Sequence, residues 1–350
     1  MKKLSIILVS IICSCAVFVF CSQKIYASSD VCVSSAQSAV LMEASTGRIL
    51  YAKNIDKKLY MASTTKIVTA ITVLDNISDV NAVVTVPKEA QGVEGSSIYL
   101  VAGEHLTVLE LLYGLMLQSG NDCAVTLAIK VAGSVKAFAN LMNKTAHKVG
   151  AQNSNFVTPH GLHDNNHYTT AYDLGLITAY ALKNETFRKI VSTKSITIAN
   201  ETKEYRRLIQ NKNKLLKNYE FANGVKTGFT SKAGRCFVGS AYKDGMQLIA
   251  VVLNCVPMFE ESEAMLKYGF NHYKLRTIIP DNKVCGALIR NNKMIFYKVN
   301  EGFSYPIKDG SDELDKIKKE ITLPYKNDID GNLSVYLDKQ LIYFQKLVTM

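Results

Sequence analysis

The sequence has few cysteines, and their spacing is irregular. Three of the eight, Cys13, Cys15 and Cys21, fall in the apolar N-terminal run. The remaining five are an odd number and lie far apart: Cys32, Cys123, Cys236, Cys255 and Cys285. Such a set argues against a disulfide framework, so we expect mostly buried thiols.

The sequence also lacks a clustered basic stripe, a nucleic-acid motif, internal repeats and a low-complexity linker. Nucleic-acid binding is therefore not predicted. A hydrophobic content of 48% permits a sizeable core, and 20% charged residues is ordinary for a soluble protein. The formal net charge is +11, and it falls to about +8 if Lys2, Lys3 and Lys24 are removed with an N-terminal signal. That charge suits an anionic surface such as a cell-wall polymer, although solubility alone accounts for it equally well.

Residues 1–27 have the pattern of a signal peptide. Lys2 and Lys3 precede an apolar run from Leu4 to Cys21, and Ala27 offers a small residue for cleavage. A retained membrane helix is the alternative, because the run approaches the length that spans a bilayer. Either way we expect an exported, extracytoplasmic protein, in the cell wall or at the outer face of the membrane.

Ser63 and Lys66 stand three residues apart in Ala-Ser-Thr-Thr-Lys. On a helix their side chains share one face, one turn apart. A serine hydroxyl needs a base to act as a nucleophile, and a lysine serves only if its pKa is lowered. The segment from Thr64 to Leu74 is rich in β-branched residues, yet it is apolar nearly all round and lacks strict alternation. We therefore predict a buried helix.

Spacing alone is weak, because Ser240 and Lys243 match it by chance. They lie in a predicted β-hairpin from Arg235 to Cys255, where residues three apart face opposite sides of the strand. The first copy gains support from two further motifs, Ser119-Gly-Asn121 between helices and Lys226-Thr-Gly228 entering the hairpin. The ordered set is the signature of penicillin-binding proteins and β-lactamases.

The chemistry of these residue types fits that set. Ser119 and Asn121 can relay protons and hold a substrate backbone. Lys226 can keep Lys66 neutral by repulsion and bind an anionic substrate end, and Thr227 can add a hydrogen bond to a carboxylate. Gly228 lets substrate lie close against the strand.

Strands at both ends of residues 28–275, with helices between them, predict an α+β domain in which an antiparallel sheet is covered by helices. Thr107 and Glu110 form a capping box for one helix. Residues 276–350 change to short strands and turns, which predicts a small β-rich C-terminal domain.

Over roughly residues 34–275 the chain resembles the serine-type D-alanyl-D-alanine carboxypeptidases, the low-molecular-mass penicillin-binding proteins. The matching segments are Ser38-Ala-Val-Leu-Met-Glu, Ala62-Ser-Thr-Thr-Lys, Leu117-Gln-Ser-Gly-Asn-Asp, Phe156-Val-Thr-Pro-His-Gly-Leu and Gly224-Val-Lys-Thr-Gly-Phe-Thr-Ser-Lys-Ala-Gly. The resemblance implies a β-lactamase/transpeptidase-like fold, and the β-rich tail is similar to the family's small C-terminal domain.

The resemblance also implies roles. Ser63 would attack the bond between the terminal D-alanines of a peptidoglycan stem peptide, with Lys66 as the base. Ser119 would pass a proton to the leaving amine, and Asn121 would position substrate. Lys226 and Thr227 would bind the terminal carboxylate. Gly228 and Phe229 would complete the substrate site. The backbone N–H groups of Ser63 and Phe229 would form the oxyanion hole. β-Lactams would acylate Ser63, and no metal or cofactor is implied.

Many members of the family end in an amphipathic helix that anchors them to the membrane. Here the tail from Asp338 to Met350 reads as a strand, so peripheral membrane or wall association stays open.

Four other interpretations concern the same sequence. His160, His163, Asp164 and His167 invite a zinc site, but no His-Glu-x-x-His motif is present. A class A β-lactamase needs a glutamate for deacylation, and the loop from Gln152 to Asp173 has none. A non-catalytic penicillin-binding wall protein would be expected to have lost a motif residue. A D,D-endopeptidase would share every catalytic residue, so that alternative stays open.

Overall fold

The computed structural model describes residues 35–198, 206–290, 292–324 and 331–350. The predicted signal peptide, residues 1–27, and Cys32 lie outside these ranges. Four described cysteines are free thiols: Cys123, Cys236 and Cys255 are buried, and Cys285 is partly exposed.

The centre of the molecule is a five-stranded antiparallel sheet. Its strand order is β2-β1-β9-β8-β7. The strands are β1 (Ser38–Glu43), β2 (Ile49–Lys53), β7 (Ala222–Thr230), β8 (Gly234–Lys243) and β9 (Met246–Leu253). β1 and most of β9 are apolar at successive positions, because both faces of these strands are buried.

Eight α-helices surround the sheet in the described part of the chain. They are α1 (Lys66–Asn76), α2 (Val108–Tyr113), α3 (Asn121–Ala132), α4 (Val135–Lys148), α5 (Ala171–Ala181), α6 (Glu185–Ser192), α7 (Leu215–Asn218) and α8 (Met258–His272). Two short hairpins accompany them: β3 (Val83–Thr85) with β4 (His105–Thr107), and β5 (Ser195–Ile198) with β6 (Arg207–Gln210).

The two faces of the sheet bury different helices. Val40 and Met42 of β1 join a cluster that includes α1 to α6, whereas Ala39 and Leu41 join one that includes α8. This division follows from the alternation of side chains along a strand. The antiparallel sheet covered by helices confirms the predicted fold class.

The C-terminal region is β-rich, as expected. It contains the pair β10 (Tyr273–Ile279) and β13 (Phe303–Lys308), and a sheet in the order β11-β12-β16-β15-β14. The strands of that sheet are β11 (Val284–Arg290), β12 (Lys293–Lys298), β14 (Ile317–Thr322), β15 (Gly331–Leu337) and β16 (Gln340–Thr349). β10 contributes Tyr273 to the α8 cluster and Ile278 to a third, C-terminal cluster. The domain boundary at residue 275 stays a prediction.

The last strand, β16, runs to Thr349, so the tail is a strand as expected. Among the described residues, no single helix has both the length and the apolar composition to cross a membrane. One pair of consecutive helices, α3 and α4, meets those criteria together, with a bend of 85° between them.

Candidate active site

Ser63 lies in a short 3-10 turn, Ala62–Thr65, that leads directly into α1. Ala62 adopts a left-handed φ of 50°. The hydroxyls of Thr64 and Thr65 each donate to the carbonyl three residues earlier, at 2.7 Å. These local bonds stabilise a turn that the β-branched composition alone would not favour. The predicted helix is confirmed as α1, which begins at Lys66, and the turn places Ser63 three residues before that start.

Lys66 is fully buried, and its Nζ contacts three oxygen atoms. These are Ser63 Oγ at 3.0 Å, Asn121 Oδ1 at 2.7 Å and the carbonyl of His160 at 2.7 Å. A neutral amine has two N–H groups and one lone pair. Because the amide oxygen of Asn121 and the carbonyl oxygen of His160 can only accept, they take both N–H groups, and the lone pair is left for the Ser63 hydroxyl.

The electrostatic surroundings favour this neutral form. Burial lowers the pKa of Lys66 well below that of a free lysine, and the charges of Lys226 and Lys212 lower it further. Burial also lowers the pKa of Lys226 to about 7, with a further contribution from Lys212. Lys66 is therefore prepared to accept a proton from Ser63.

Ser119 and Asn121 lie at the predicted junction between helices. A π-helical turn, Gly114–Gln118, follows α2, and Ser119 ends it with a left-handed φ of 67°. The next residue is Gly120, where a larger side chain would clash: an added Cβ would lie 2.7 Å from Asp122 Oδ1. Asn121 then begins α3, and its Nδ2 donates to the carbonyl of Glu94 at 2.5 Å. One of the two N–H groups of the Asn121 amide is therefore bound to Glu94, and the amide oxygen faces Lys66.

The Lys226-Thr227-Gly228 motif lies on β7, which is an edge strand of the central sheet. A Cβ on Gly228 would lie 2.9 Å from the carbonyl of Met61 and 3.0 Å from Ser63 N. Only glycine permits this close approach of β7 to the Ser63 turn. Lys226 is buried and Thr227 half-buried, whereas the side chain of Phe229 is 64% exposed.

The structure brings most of the predicted residues together. Ser63, Lys66 and Asn121 are joined by hydrogen bonds, Lys226 acts on Lys66 through its charge, and Gly228 contacts the Ser63 turn. The remaining predicted residues occupy neighbouring positions on the same elements: Ser119, Thr227 and Phe229.

Three contributions to the site are not apparent from the sequence. Lys212 donates from Nζ to Ser96 Oγ at 3.1 Å, and its charge reaches both motif lysines. It is one of 41 basic residues, in a lysine-rich loop, and nothing local distinguishes it. The carbonyls of Glu94 and His160 orient Asn121 and Lys66, and backbone carbonyls leave no signal in a sequence.

The histidines of the loop from Gln152 to Asp173 take part in packing beside Ser63. Nδ1 of His167 accepts from the N–H of Val157 at 2.9 Å, and Nε2 lies 2.8 Å from Thr65 Oγ1. Burial lowers the pKa of His160 to about 3 and that of His167 to about 4. Within the described residues, no three His, Cys, Asp or Glu side chains are grouped to hold a metal ion.

The chain is similar to proteins of known family. The profile of the family Peptidase S11, described as D-alanyl-D-alanine carboxypeptidase, matches residues 25–256. The D-alanyl-D-alanine carboxypeptidase DacF of Bacillus subtilis (strain 168) is 34% identical over 298 residues, which are 82% of this chain and 76% of the relative.

Two crystal structures are similar over 90% of the chain. Penicillin binding protein 5 from Haemophilus influenzae matches with a TM-score of 0.75 and 30% identity, over 96% of its own chain. The D-alanyl-D-alanine carboxypeptidase DacD from Francisella tularensis matches with a TM-score of 0.71 and 25% identity, over 92% of its chain. The protein described here therefore belongs to the Peptidase S11 family, the serine-type D-alanyl-D-alanine carboxypeptidases.

Proposed function

We propose that the protein is a serine D,D-carboxypeptidase that removes the terminal D-alanine from peptidoglycan stem pentapeptides through an acyl-enzyme on Ser63. The observation that carries the proposal is the 3.0 Å contact between Ser63 Oγ and Lys66 Nζ. The other two contacts of Lys66 Nζ are to oxygen atoms that accept hydrogen bonds, on Asn121 and His160. β-Lactams would acylate the same oxygen as substrate mimics.

In acylation, Ser63 Oγ attacks the carbonyl of the penultimate D-alanine and gives its proton to Lys66. The backbone N–H groups of Ser63 and Phe229 stabilise the oxyanion. Ser119 passes the proton held by Lys66 on to the departing amine as the C–N bond breaks, which returns Lys66 to its neutral form. D-alanine then leaves, and the shortened peptide remains esterified to Ser63.

Lys226 and Thr227 bind the terminal carboxylate of the substrate. A pKa near 7 means that Lys226 is only partly charged at neutral pH in the free protein. An anionic carboxylate beside it favours the charged form, so binding raises that pKa and creates an ion pair. Asn121 holds both Lys66 and the substrate backbone.

Water completes the cycle by hydrolysing the ester. The loop from Gln152 to Asp173 has no glutamate to activate that water against a β-lactam adduct, so rapid antibiotic hydrolysis is not expected. D,D-endopeptidase activity on cross-links uses the same residues and is the second candidate. A non-catalytic penicillin-binding wall protein would be expected to have lost a motif residue, and none is lost.

The proposed reaction takes place outside the cytoplasm, where peptidoglycan lies. We infer that residues 1–27 serve as a signal peptide and that the protein acts in the cell wall or at the outer face of the membrane. Peripheral association with either surface is compatible with the net positive charge of the chain.

The test is covalent labelling with a fluorescent penicillin, together with D-alanine release from a stem pentapeptide. We expect wild-type protein to be labelled and active with and without EDTA, and Ser63→Ala to be neither. Ser240→Ala is the matched control, because Ser240 belongs to the chance Ser-x-x-Lys copy. The mechanism would be contradicted if penicillin labelled the folded Ser63→Ala variant. It would also be contradicted if penicillin failed to label the folded wild-type protein. Cleavage of cross-linked dimers into monomers in preference to D-alanine release from the pentapeptide would favour the endopeptidase.

A further inference from the structure

One face of the C-terminal sheet exposes six large apolar side chains. The sheet has the order β11-β12-β16-β15-β14, and the six lie on β11, on β12, and on β16 or directly after it. Each of them is between 38% and 71% exposed: Ile289, Met294, Phe296, Phe344, Val348 and Met350. A sheet face that meets only water usually carries polar side chains, so a group of this size indicates a binding surface.

The pairing of the strands places four of these side chains next to each other. Met294 and Phe296 are alternate residues of β12 and therefore point to the same side of the sheet. Ile289 is directly opposite Met294 on β11. Met350 lies beside Phe296, because its N–H donates to the carbonyl of Phe296 at 3.0 Å. Opposed side chains of antiparallel strands have Cβ atoms about 5 Å apart, so the four form one continuous apolar patch.

The other face of the sheet is already covered by protein. Tyr297 and Leu347 alternate with the residues of the patch, and both are buried in the C-terminal cluster. Ile278 of β10 and Phe303 of β13 belong to the same cluster. The β10–β13 pair therefore packs against this inner face. The outer face, which carries the patch, stays open to solvent in the part of the chain that the structure describes.

The charge of the strands that carry the patch is positive. They contain four basic residues and no aspartate or glutamate: Arg290, Lys293, Lys298 and Lys346. Lys298 is directly opposite Val348, and its Nζ donates to the neutral amide of Asn282 at 2.9 Å. On the described outer face, the acidic residue Glu320 lies on β14, at the opposite edge of the sheet. Apolar and basic side chains are thus combined at one end of this face.

The surface of an anionic lipid bilayer matches both properties. Apolar side chains enter the boundary between headgroups and acyl chains, and lysines beside them attract anionic headgroups. A wall polymer would supply the anions but no apolar medium for phenylalanine and methionine side chains. A second copy of the same face would supply apolar surface but would bring like charges together, which opposes association.

We propose that the outer face of the C-terminal sheet binds the protein to the surface of an anionic lipid bilayer. The inference rests on the proposed export of the chain, and it selects the outer face of the membrane over the cell wall. It does not depend on the chemistry at Ser63. Only a few side chains enter the bilayer, so the attachment is reversible, and salt weakens it by screening the lysines.

The experiment is co-sedimentation of the chain from residue 28 onward with lipid vesicles. The apolar run near the N-terminus is left out because it would itself insert into lipid. Vesicles of equal parts phosphatidylglycerol and phosphatidylcholine are compared with vesicles of phosphatidylcholine alone. We expect binding to the anionic vesicles to be on the order of 100-fold tighter, because each basic residue near the surface contributes about fivefold.

Three variants test the two parts of the surface. Phe296→Thr should weaken binding to the anionic vesicles about tenfold through lost insertion, and Lys298→Gln about fivefold through lost charge. Val348→Thr keeps a β-branched side chain of the same shape, so lost folding cannot account for its expected loss of about threefold. Leu208→Thr is the matched control and should bind like wild type. Leu208 is 60% exposed on β6, whose Ile209 packs in the cluster of α1 to α6.

Labelling of the same samples with penicillin separates this inference from the proposed function. If wild type is labelled but binds neither vesicle, binds both equally, or binds no better than the three variants, this inference alone is overturned. If wild type binds anionic vesicles but is not labelled, the proposed function alone is overturned. Binding to purified cell walls without binding to vesicles would assign the face to a wall polymer, and self-association without vesicle binding would assign it to a second copy. Either result would overturn the inference.

Discussion

The pKa of Lys66 decides whether Ser63 can act as a nucleophile. A charged ammonium would offer protons to the serine oxygen, whereas a neutral amine accepts one from it. Three features of the site favour the neutral form: complete burial, the charges of Lys226 and Lys212, and two acceptors that match the N–H groups of an amine. The same burial of Lys66 and Lys226 lowers the free energy of unfolding, because a charged amine loses its hydration when the chain folds.

Lys226→Met is expected to stabilise the protein most at low pH. The pKa of Lys226 is about 7 when folded and near the ordinary 10.5 when unfolded. Below pH 7 both states carry the charge, and the folded state bears its full burial cost. Between pH 7 and 10.5 only the unfolded state keeps the proton, so wild-type stability rises by about 1.4 kcal/mol per pH unit.

The measurement is urea unfolding of wild type and Lys226→Met at pH 6, 8 and 10. The advantage of the variant should shrink as the pH rises. Lys183→Met, at an exposed lysine on the surface, is the control. If the free energy of unfolding of Lys226→Met exceeded that of wild type by the same amount at every pH, Lys226 would not be a buried amine that loses its proton in this range.

At the scale of elements, the site is the meeting point of a 3-10 turn, a helix junction and an edge strand. β7 has β8 on one side only, so its other edge is available to the turn that holds Ser63 and to a substrate. Substrate can add to such an edge as a further strand. Gly228 is the position at which turn and strand come closest.

Gly228→Ala is expected to slow acylation by penicillin about 100-fold, because the new Cβ would displace the Ser63 turn. The measurement is the second-order rate of labelling. Gly133→Ala is the control: Gly133 has a φ of 73° with open space around it, so the substitution costs stability without touching the site. Equal labelling rates for Gly228→Ala and wild type would show that β7 does not position Ser63.

At the scale of the whole molecule, Arg48 joins the helix-covered sheet to the C-terminal strands. Its guanidinium donates two hydrogen bonds to the carboxylate of Glu313. The bond from Nη1 to Oε2 is 2.9 Å long. It also lies over the rings of Tyr273 and Tyr305, at 5.2 and 5.0 Å. The two side chains of the ion pair are only 13% and 19% exposed, so it is well shielded from water.

Arg48→Met is expected to lower the stability of the protein by about 2–3 kcal/mol, because Glu313 loses its partner while still largely buried. Acylation by penicillin should be unchanged, since Arg48 belongs to none of the site's elements. Calorimetry and labelling check the two parts. Arg276→Met, at an exposed pair 3.8 Å from Asp309, should cost well under 1 kcal/mol. Equal losses in the two variants would contradict a special role for Arg48.

Local patterns were sufficient for much of the fold and for the main site residues. The capping box of Thr107 and Glu110 is present as predicted, and the Ser63–Lys66 spacing places both side chains on one face. The hairpin of β8 and β9 likewise separates Ser240 from Lys243, as strand alternation requires. These predictions rely on residues within a few positions of each other, where backbone geometry alone determines the outcome.

Long-range packing decided the rest. The low pKa of Lys66, the contribution of Lys212, the carbonyl of His160 and the hydrogen bond from Arg207 to the carbonyl of Tyr99 all join residues far apart in the chain. A sequence can supply a serine, a lysine and their spacing. Only the folded chain excludes water from the amine and brings two further positive charges to it, because desolvation and charge repulsion depend on distance in space.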